Sequence, residues 1–502
     1  MDYFVNAKPC DVGISAKHIK KYMSLLKRYN SSTHSVIMAR GNKIFFEHYT
    51  KPFDKDFAHR MYSVTKSYVS IAIGFLVQDG IISLDDKIVK FFPEDIPENL
   101  LENVKNQTVR NMLMMSTGYI EKRNNWFKAR PDDRVKFYFE TSVDAPDESE
   151  NEISRIPGTF FEYDSNGSFI LGAMVERVTG KSLAEFLYEK LFNKIGVTSA
   201  RFLKCPGGHA WSDSALLCTP LDMLRVARFV LNYGEWKGEQ ILSRDYLKEA
   251  TSKQIDNAMN GIPQFNALGY GYKFWRTWQD SFFFNGMGNQ FIICVPHKDL
   301  ILVHTGDNQG HDYAKSVVID RFFEEIVDNI DTEEISDDTQ NEKELLEFSN
   351  NFSLYALEGA KTSPIIDKIN GKTYILNDNP MGIKKLQFNF CGDGGTFVYE
   401  NAQGEKELPF KLCENEYCRF PEEGYSLDVG SKKSDGNFYK CACSAAFTSE
   451  DTFGIMVQAI DDYFGRLYMA FNFKDDIIAL NFTKTAEDFF NEYEGYADGK
   501  MI

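Results

Sequence analysis

The first two thirds of the chain combine helical and strand-like patterns of apolar and polar residues. Residues 14–28 carry apolar side chains at helical spacing with basic ones between them, which predicts an amphipathic surface helix. Residues 35–49 form two β-rich runs around Arg40-Gly41-Asn42, the pattern of a hairpin. Residues 63–80 are apolar nearly all round, so we expect a helix buried in the middle of a domain.

Further elements are predicted as far as residue 328. Residues 120–155 are polar and charged, which predicts a long excursion over the surface. The other elements predicted from the pattern are a buried helix at 109–118 that ends at Gly118, a loop followed by helix, turn and helix at 156–192, a helix and turn at 219–242, two strands at 282–306 joined by Pro296-His297-Lys298-Asp299, and a helix at 313–328.

The pattern changes after an acidic, weakly patterned stretch. Short alternating runs separated by turn residues then dominate, which predicts an all-β fold, either a small barrel or a sandwich. We therefore predict three segments: a domain of helices and strands at 1–330, an acidic linker at 331–345, and an all-β accessory domain at 346–502.

Charge and hydropathy exclude several kinds of partner. The 502 residues include 56 Lys and Arg against 73 Asp and Glu, a net charge of −17, which argues against binding nucleic acid. No window approaches 18 consecutive apolar residues, and the first residues lack the basic and apolar segments of a signal peptide. We therefore expect a cytoplasmic protein that binds no membrane.

The cysteines and histidines give no metal-binding pattern. The nine cysteines are scattered, and the close pairs Cys413/Cys418 and Cys441/Cys443 lack the spacing of a zinc site. The eight histidines form no H-x-x-x-H pair. We therefore predict free thiols in a reducing compartment, no metal and no cofactor.

Candidate chemistry begins with Ser63-Val64-Thr65-Lys66, an S-x-x-K motif at the start of the predicted buried helix. A serine in the first turn can face a cleft, and a lysine three residues later lies on the same helix face. A lysine acts as a base only when it is neutral, and an apolar wall favours the neutral form. Ser63 is therefore a candidate nucleophile, and the alternative is an ordinary helix cap.

The chain contains a second S-x-x-K string at Ser24–Lys27. This string falls in the middle of the predicted surface helix, on a basic and solvated face. We interpret it as structural, which shows that the motif alone does not define a site.

Two further segments carry candidate site residues. Tyr163 follows a Pro157-Gly158 turn in a polar loop before a predicted helix, where a phenol can face a cleft and transfer protons, or simply pack. Gly286-Met287-Gly288-Asn289-Gln290 opens an apolar strand, and glycines there allow close backbone approach to a ligand. The backbone N–H groups of Ser63 and Met287 could form an oxyanion hole, and the alternative is a bulge or tight turn.

The combination of motifs resembles the penicillin-recognising serine hydrolases. This group includes class C β-lactamases, D-alanyl carboxypeptidases, D-aminopeptidases, family VIII esterases and 6-aminohexanoate-dimer hydrolases. The similarity covers residues 14–328 and follows the order S-x-x-K, V-R-N-M-L-M-M-S-T-G, P-G-x-x-F-x-Y, L-G-x-x-x-E-x-x-x-G and G-x-G-x-Q.

The resemblance implies a fold and a set of roles. The fold is a β-lactamase-like α+β arrangement, an antiparallel sheet flanked by helices with a helical lobe. Ser63 would be the acylated nucleophile, Lys66 its activator and Tyr163 the proton shuttle. Candidates for substrate contacts or support of the catalytic groups are Ser165, Gly286, Gly288 and Asn289.

Departures from the family pattern indicate which branch of the family the chain resembles most. Tyr163-Asp164-Ser165 is a Tyr-x-Ser form, which resembles the dimer-hydrolase and esterase branches. Gly286-Met287-Gly288 replaces the usual Lys-Thr-Gly or His-x-Gly and supplies no cation for a substrate carboxylate, which argues against β-lactam and D-Ala-D-Ala substrates. His304-Thr305-Gly306 matches His-x-Gly as a string, but we interpret it as the end of a strand.

We therefore expect a serine hydrolase that cleaves an amide or ester in a small molecule or short peptide. The alternatives are a D-amino-acid peptidase or β-lactamase of the same fold, a non-catalytic peptide-binding homologue, and a transferase that passes the acyl group to an acceptor other than water. The sequence predicts neither the acyl group nor the oligomeric state.

Overall fold

The computed structural model describes residues 3–118, 133–143, 155–260, 263–331, 333–426, 428–430, 433–486 and 490–502. Most of the surface excursion predicted at 120–155 lies outside the described residues. The chain divides into two compact units. Unit 1 holds Met1–Asn308, Asp312–Phe352 and Asp428–Gly430, and unit 2 holds Gln309–His311, Ser353–Leu427 and Ser431–Ile502.

The strands of unit 1 form a mixed sheet and smaller pairings. The main sheet has the order β1-β3-β2-β12-β11-β10-β9 and is antiparallel except for the β1–β3 pair. The strands are β1 Val5–Asn6, β2 Thr33–Arg40, β3 Lys43–Tyr49, β4 His59–Arg60, β5 Arg201–Phe202, β6 Leu216–Cys218, β7 Glu235–Trp236, β8 Glu239–Gln240, β9 Trp275–Thr277, β10 Ser281–Gly286, β11 Gln290–Val295 and β12 Leu300–Gly306.

Helices surround this sheet, and the second one is the most deeply buried. Every residue from Thr65 to Leu76 is buried in it, as its all-round apolar pattern predicts. The helices of unit 1 are α1 Ala16–Arg28, α2 Thr65–Gln78, α3 Glu102–Asn106, α4 Val109–Leu113, α5 Arg134–Thr141, α6 Ser165–Thr179, α7 Leu183–Leu187, α8 Asn193–Ile195, α9 Pro220–Leu231, α10 Arg244–Thr251, α11 Asp312–Glu325 and α12 Thr339–Asn350. The predicted β-lactamase-like α+β fold is confirmed.

The helix predicted at 109–118 is shorter in the structure, and that prediction of its end was wrong. Helix α4 ends at Leu113, and Met115 has φ 59°, a left-handed conformation that a helix cannot continue. The carbonyls of Met115 and Ser116 instead accept hydrogen bonds from Glu162 and Gly158 at 2.8 Å each. The segment beyond the helix therefore supports the loop that carries Tyr163.

The two strands predicted at 282–306 are three strands. The run through Gly286-Met287-Gly288-Asn289-Gln290 folds back as a tight turn between β10 and β11, with Gly286 opposite Gln290. Gly288 at φ 74° and Asn289 at φ 71° supply the left-handed backbone that this turn needs. The five residues therefore form the tip of a hairpin and not the opening of one strand.

Part of the predicted linker 331–345 is helical. Helix α12 lies in unit 1 together with α1, where the Ser15 hydroxyl donates to Asp338 at 2.7 Å and Lys20 pairs with Glu344 at 2.8 Å. Unit 1 extends along the chain to Phe352. Independent folding of residues 346–502 stays a prediction.

Unit 2 is a closed β-barrel, the first of the two all-β forms predicted. Nine strands form a ring in the order β16-β15-β14-β13-β22-β21-β20-β19-β18, and a parallel pairing of β16 with β18 closes it. Beside a short helix α13 Ile366–Ile369, its strands are β13 Thr373–Leu376, β14 Lys385–Cys391, β15 Gly394–Asn401, β16 Gly404–Leu412, β17 Glu416–Tyr425, β18 Lys433–Phe447, β19 Thr452–Ile460, β20 Phe464–Lys474, β21 Ile477–Ala486 and β22 Gly495–Met501.

Aromatic side chains fill part of the barrel. Phe388 lies with its ring centroid 5.5 Å from that of Phe453 and 4.9 Å from that of Phe471, both edge to face. Within the described ranges of the chain, none of the helices combines the length and the apolar character needed to span a lipid bilayer.

Candidate active site

Ser63 lies in a 3-10 turn, Tyr62–Val64, that runs directly into α2. Tyr62 has φ 46°, a left-handed conformation that is uncommon outside glycine and costs on the order of 1 kcal/mol or more. The Thr65 hydroxyl donates to the carbonyl of Tyr62 at 2.6 Å and so holds the turn from the helix side. The strained turn therefore presents the half-buried Ser63 at the mouth of the buried helix.

Lys66 lies one turn further along α2 and points back to Ser63. Its Nζ is 2.9 Å from the Ser63 Oγ, and the side chain is almost fully buried. The same Nζ donates to the backbone carbonyl of Asp213 at 2.7 Å. The spacing of three residues thus brings the hydroxyl and the amine into direct contact, as the S-x-x-K motif predicts.

The side chain of Asp213, whose backbone carbonyl binds Lys66, forms a buried ion pair. Arg134 on α5 donates to the carboxylate of Asp213 at 2.9 Å, and the Arg134 and Asp213 side chains are only 3% and 6% exposed. The guanidinium of Arg134 also lies 4.1 Å from the ring centroid of Phe169. Because both sides of the pair are buried, Asp213 has little freedom to move away from Lys66.

Tyr163 lies in the loop between the Pro157-Gly158 turn and α6. Its ring stacks on that of Trp275 with centroids 5.7 Å apart, and 36% of the residue is exposed. The Nζ of Lys66 lies 5.1 Å from the centroid of the Tyr163 ring. The structure therefore brings Ser63, Lys66 and Tyr163 together around one nitrogen atom.

Asp164 fixes the backbone directly after Tyr163. Its carboxylate accepts from the N–H of Gly167 at 2.8 Å and so caps helix α6. Its own N–H donates to the sulfur of Met115 at 3.2 Å. Ser165, a predicted site residue, is the half-buried first residue of α6.

The β10–β11 turn approaches the backbone of the Ser63 turn closely. A Cβ atom at Gly286 would lie 2.3 Å from the carbonyl oxygen of Met61, two residues before Ser63, so only glycine fits there. Met287 follows at the tip of the turn and is 37% exposed. The predicted oxyanion-hole residues Ser63 and Met287 thus belong to two backbone segments that touch.

Gln290 ties this turn to the end of β12. Its side-chain N–H groups donate to the carbonyls of Met287 at 3.0 Å and Gly306 at 2.6 Å. The N–H of Asn308 donates to the carbonyl of Gly288 at 3.2 Å. These bonds fix the position of Met287 and Gly288 relative to the sheet.

His304 and Asn289 are buried in the same corner of the sheet. His304 donates from Nδ1 to the carbonyl of Asn289 at 2.8 Å, and its Nε2 lies 3.1 Å from the Thr33 hydroxyl. Burial lowers the pKa of His304 to about 4, so the ring is neutral at physiological pH. His304-Thr305-Gly306 forms the end of β12 and supplies no cation there.

Lys273 is a second buried lysine at the site, and the sequence analysis missed it. Its side chain is 2% exposed, its Nζ donates to the sulfur of Met115 at 3.1 Å, and its carbonyl accepts from the Ser67 hydroxyl at 2.6 Å. Burial lowers the pKa of Lys273 to about 7, with nearby Lys66 acting in the same direction and Asp164 opposing it. A lysine within the aromatic run Tyr270–Trp275 is the signal that could have identified it.

Substituting Lys273 should change how stability depends on pH. Between pH 7 and 10.5 the unfolded chain keeps this lysine protonated while the folded chain does not, so stability rises with pH through this window. The contribution approaches about 1.4 kcal/mol per pH unit. We expect Lys273→Met to unfold at higher denaturant than the parent at pH 7.5, with the difference shrinking towards pH 10.

Denaturant titrations of both proteins across this pH range give the measurement. The exposed Lys55 provides the control, because Lys55→Met should shift the curves by the same small amount at every pH. A pH-independent difference between parent and Lys273→Met would contradict the prediction.

The fold is β-lactamase-like: the main sheet lies with the buried α2, and the Ser63–Lys66 pair lies at the start of that helix. A comparison with protein families agrees: the family described as Beta-lactamase matches residues 16–312, which is more than half of the chain. The chain therefore belongs to the Beta-lactamase family, and it stands within a family of hydrolases.

Individual relatives are similar at low identity. The 6-aminohexanoate-dimer hydrolase of Paenarthrobacter ureafaciens is 23% identical over 290 residues, covering 54% of this chain and 71% of that protein. Penicillin-binding protein 4* of Bacillus subtilis strain 168 is 22% identical, covering 37% of this chain and 41% of that protein. The solved structure of a candidate 6-aminohexanoate-dimer hydrolase from Bacillus anthracis covers 65% of this chain and 86% of its own, with a TM-score of 0.50 and 18% identity.

Proposed function

We propose that the protein is a serine hydrolase that cleaves an amide or ester through an acyl-enzyme on Ser63. The observation that carries the proposal is the 2.9 Å separation of the Lys66 Nζ and the Ser63 Oγ at the mouth of a buried helix. An amine in that position can take the proton of the hydroxyl as it attacks.

The proposed reaction has two halves. In the first, the Ser63 Oγ bonds to the substrate carbonyl carbon while its proton passes to Lys66. The N–H groups of Ser63 and Met287 stabilise the resulting oxyanion, and the bond to the leaving group breaks as that group takes a proton through Tyr163. In the second half, water attacks the acyl ester, releases the acid and restores the Ser63 hydroxyl.

The turn at Gly286–Asn289 argues against substrates that are held through a carboxylate. In this chain its exposed side chain is Met287, and the neighbouring His304 is neutral. Exposed apolar side chains at Ile156 and Phe160, in the segment leading to Tyr163, add to the apolar character of the surface. A carboxylate would find no cation on this turn.

A substrate panel tests the proposal. The parent protein is assayed with p-nitrophenyl esters, D- and L-aminoacyl amides, linear amide oligomers and nitrocefin. We expect turnover of esters or amides. Turnover of nitrocefin alone would identify a β-lactamase, and no turnover of any substrate would favour a non-catalytic binder. Added amines or alcohols that divert the acyl group from water would identify a transferase.

Tyr163→Phe in the same panel tests the proton shuttle. Amide hydrolysis should fall by about 10²-fold or more, because an amine leaves only when it is protonated. A p-nitrophenyl ester should lose less, since its phenolate leaves without a proton. Parental activity on both substrates would indicate that Tyr163 acts by packing on Trp275, because phenylalanine keeps the ring. Equal losses would show that the hydroxyl acts in a step common to both substrates and not in protonation of the leaving group.

A further inference from the structure

Three cysteines of unit 2 converge on one point of the barrel. Cys418 on β17 lies directly opposite Cys441 on β18, and Cys443 follows two residues later on the same face of β18. The sulfur–sulfur distances are 3.4 Å for Cys418 and Cys441, 3.7 Å for Cys418 and Cys443, and 3.8 Å for Cys441 and Cys443. The three sulfur atoms therefore form a triangle with sides of 3.4–3.8 Å.

We propose that Cys418, Cys441 and Cys443 form a thiolate site for one zinc ion. The triangle has the right size, because a tetrahedral ion with Zn–S bonds of 2.3 Å places its sulfurs about 3.8 Å apart. Binding breaks three S–H bonds, forms three Zn–S bonds and releases three protons to water. A water molecule or a small exogenous ligand completes the fourth position.

The ordinary alternative is that these cysteines are packed as small apolar side chains. The other buried cysteines of the chain, Cys205, Cys218 and Cys294, fit that description singly. Among the residues that the structure describes, Cys418, Cys441 and Cys443 are the one group of three or more His, Cys, Asp or Glu side chains close enough to share an ion. Cys418 is only partly buried, which gives an ion a path to the two buried sulfurs.

The position of the cluster means that a bound ion would join two strands. Regular pairing of β17 with β18 runs from Glu416 to Arg419, and the register shifts between Arg419 and Glu423. An ion held by both strands would fasten them next to this irregularity. The site is independent of the proposed chemistry at Ser63, and it escaped the sequence analysis because its ligands come from two strands 23 residues apart.

The test is a titration of the full-length protein with Co²⁺, a spectroscopic substitute for Zn²⁺. The protein is first stripped of metal and is kept reduced with a phosphine. We expect thiolate-to-cobalt absorption that saturates at one equivalent per chain and disappears when Zn²⁺ is added. Cys418→Ser and Cys443→Ser should weaken binding by more than about tenfold, because each removes one of three ligands. The half-buried Cys413, whose sulfur donates to the Gly359 carbonyl at 3.3 Å, provides the control Cys413→Ser with parental binding.

A second measurement needs no substitution in the cluster. Alkylation of the native parent followed by peptide mapping should show Cys418 protected by Zn²⁺ and Cys413 unprotected. Any of three results would overturn the proposal. The reduced parent could show no saturable cobalt band, both cluster variants could bind like the parent, or Zn²⁺ could fail to slow the alkylation of Cys418.

Discussion

Ser63→Ala should reduce kcat for the best ester or amide substrate by at least about 10⁴-fold. The substitution removes the oxygen that lies 2.9 Å from Lys66, and the neighbouring Thr65 hydroxyl is engaged with the carbonyl of Tyr62. The loss should appear in kcat more than in KM, because alanine leaves the surface that contacts the substrate nearly unchanged. Steady-state kinetics of purified parent and variant give the measurement.

The second S-x-x-K string provides a matched control. Ser24 lies within α1, and its hydroxyl donates to the carbonyl of Lys20 at 2.7 Å, four residues back in the same helix. Ser24→Ala should keep parental kcat. Retention of more than about a tenth of the parental activity by Ser63→Ala would exclude Ser63 as the nucleophile.

Lys66→Met should reduce kcat by about 10³-fold, the range of a lost general base. Methionine keeps much of the volume of the buried side chain but cannot accept the proton of Ser63. Lys66→Arg separates a base from a fixed positive charge, because a guanidinium stays protonated at every pH of the assay. We therefore expect the arginine variant to be as inactive as the methionine variant.

The matched control for Lys66 is again in α1. Lys27 in the last turn of that helix is exposed, and Lys27→Met should leave kcat unchanged. Recovery of activity in Lys66→Arg would show that this position needs a charge and not a base. A circular dichroism spectrum of each variant confirms that the fold is intact.

The fold was predictable wherever one local pattern decides an element. The all-round apolar run of α2 and the Arg40–Lys43 turn of the first hairpin are such cases. The β10–β11 turn was predicted only as an alternative, because the apolar residues on both sides of Gly286–Asn289 resemble one strand. The closure of the barrel depends on the pairing of Leu412 with Ala445, a contact between distant residues that no local pattern specifies.

The candidate site was predictable where side chains share one helix turn. Ser63 and Lys66 are three residues apart, so their contact follows from helix geometry alone. The roles of Asp213 and Met115 were not predictable, because a backbone carbonyl and a thioether carry no signal in the sequence. The aromatic run around Lys273 signals that this lysine is buried, but its place near Lys66 arises from the packing of two distant segments.

Labelling with a fluorophosphonate probe tests most directly which residue is the nucleophile. The native protein is reacted with the probe and digested, and the labelled peptide is identified by mass spectrometry. A single adduct on the peptide that contains residue 63, with none formed by the alanine variant, is the result we predict. An adduct on any other residue, or undiminished labelling after the hydroxyl has been removed, would contradict the assignment.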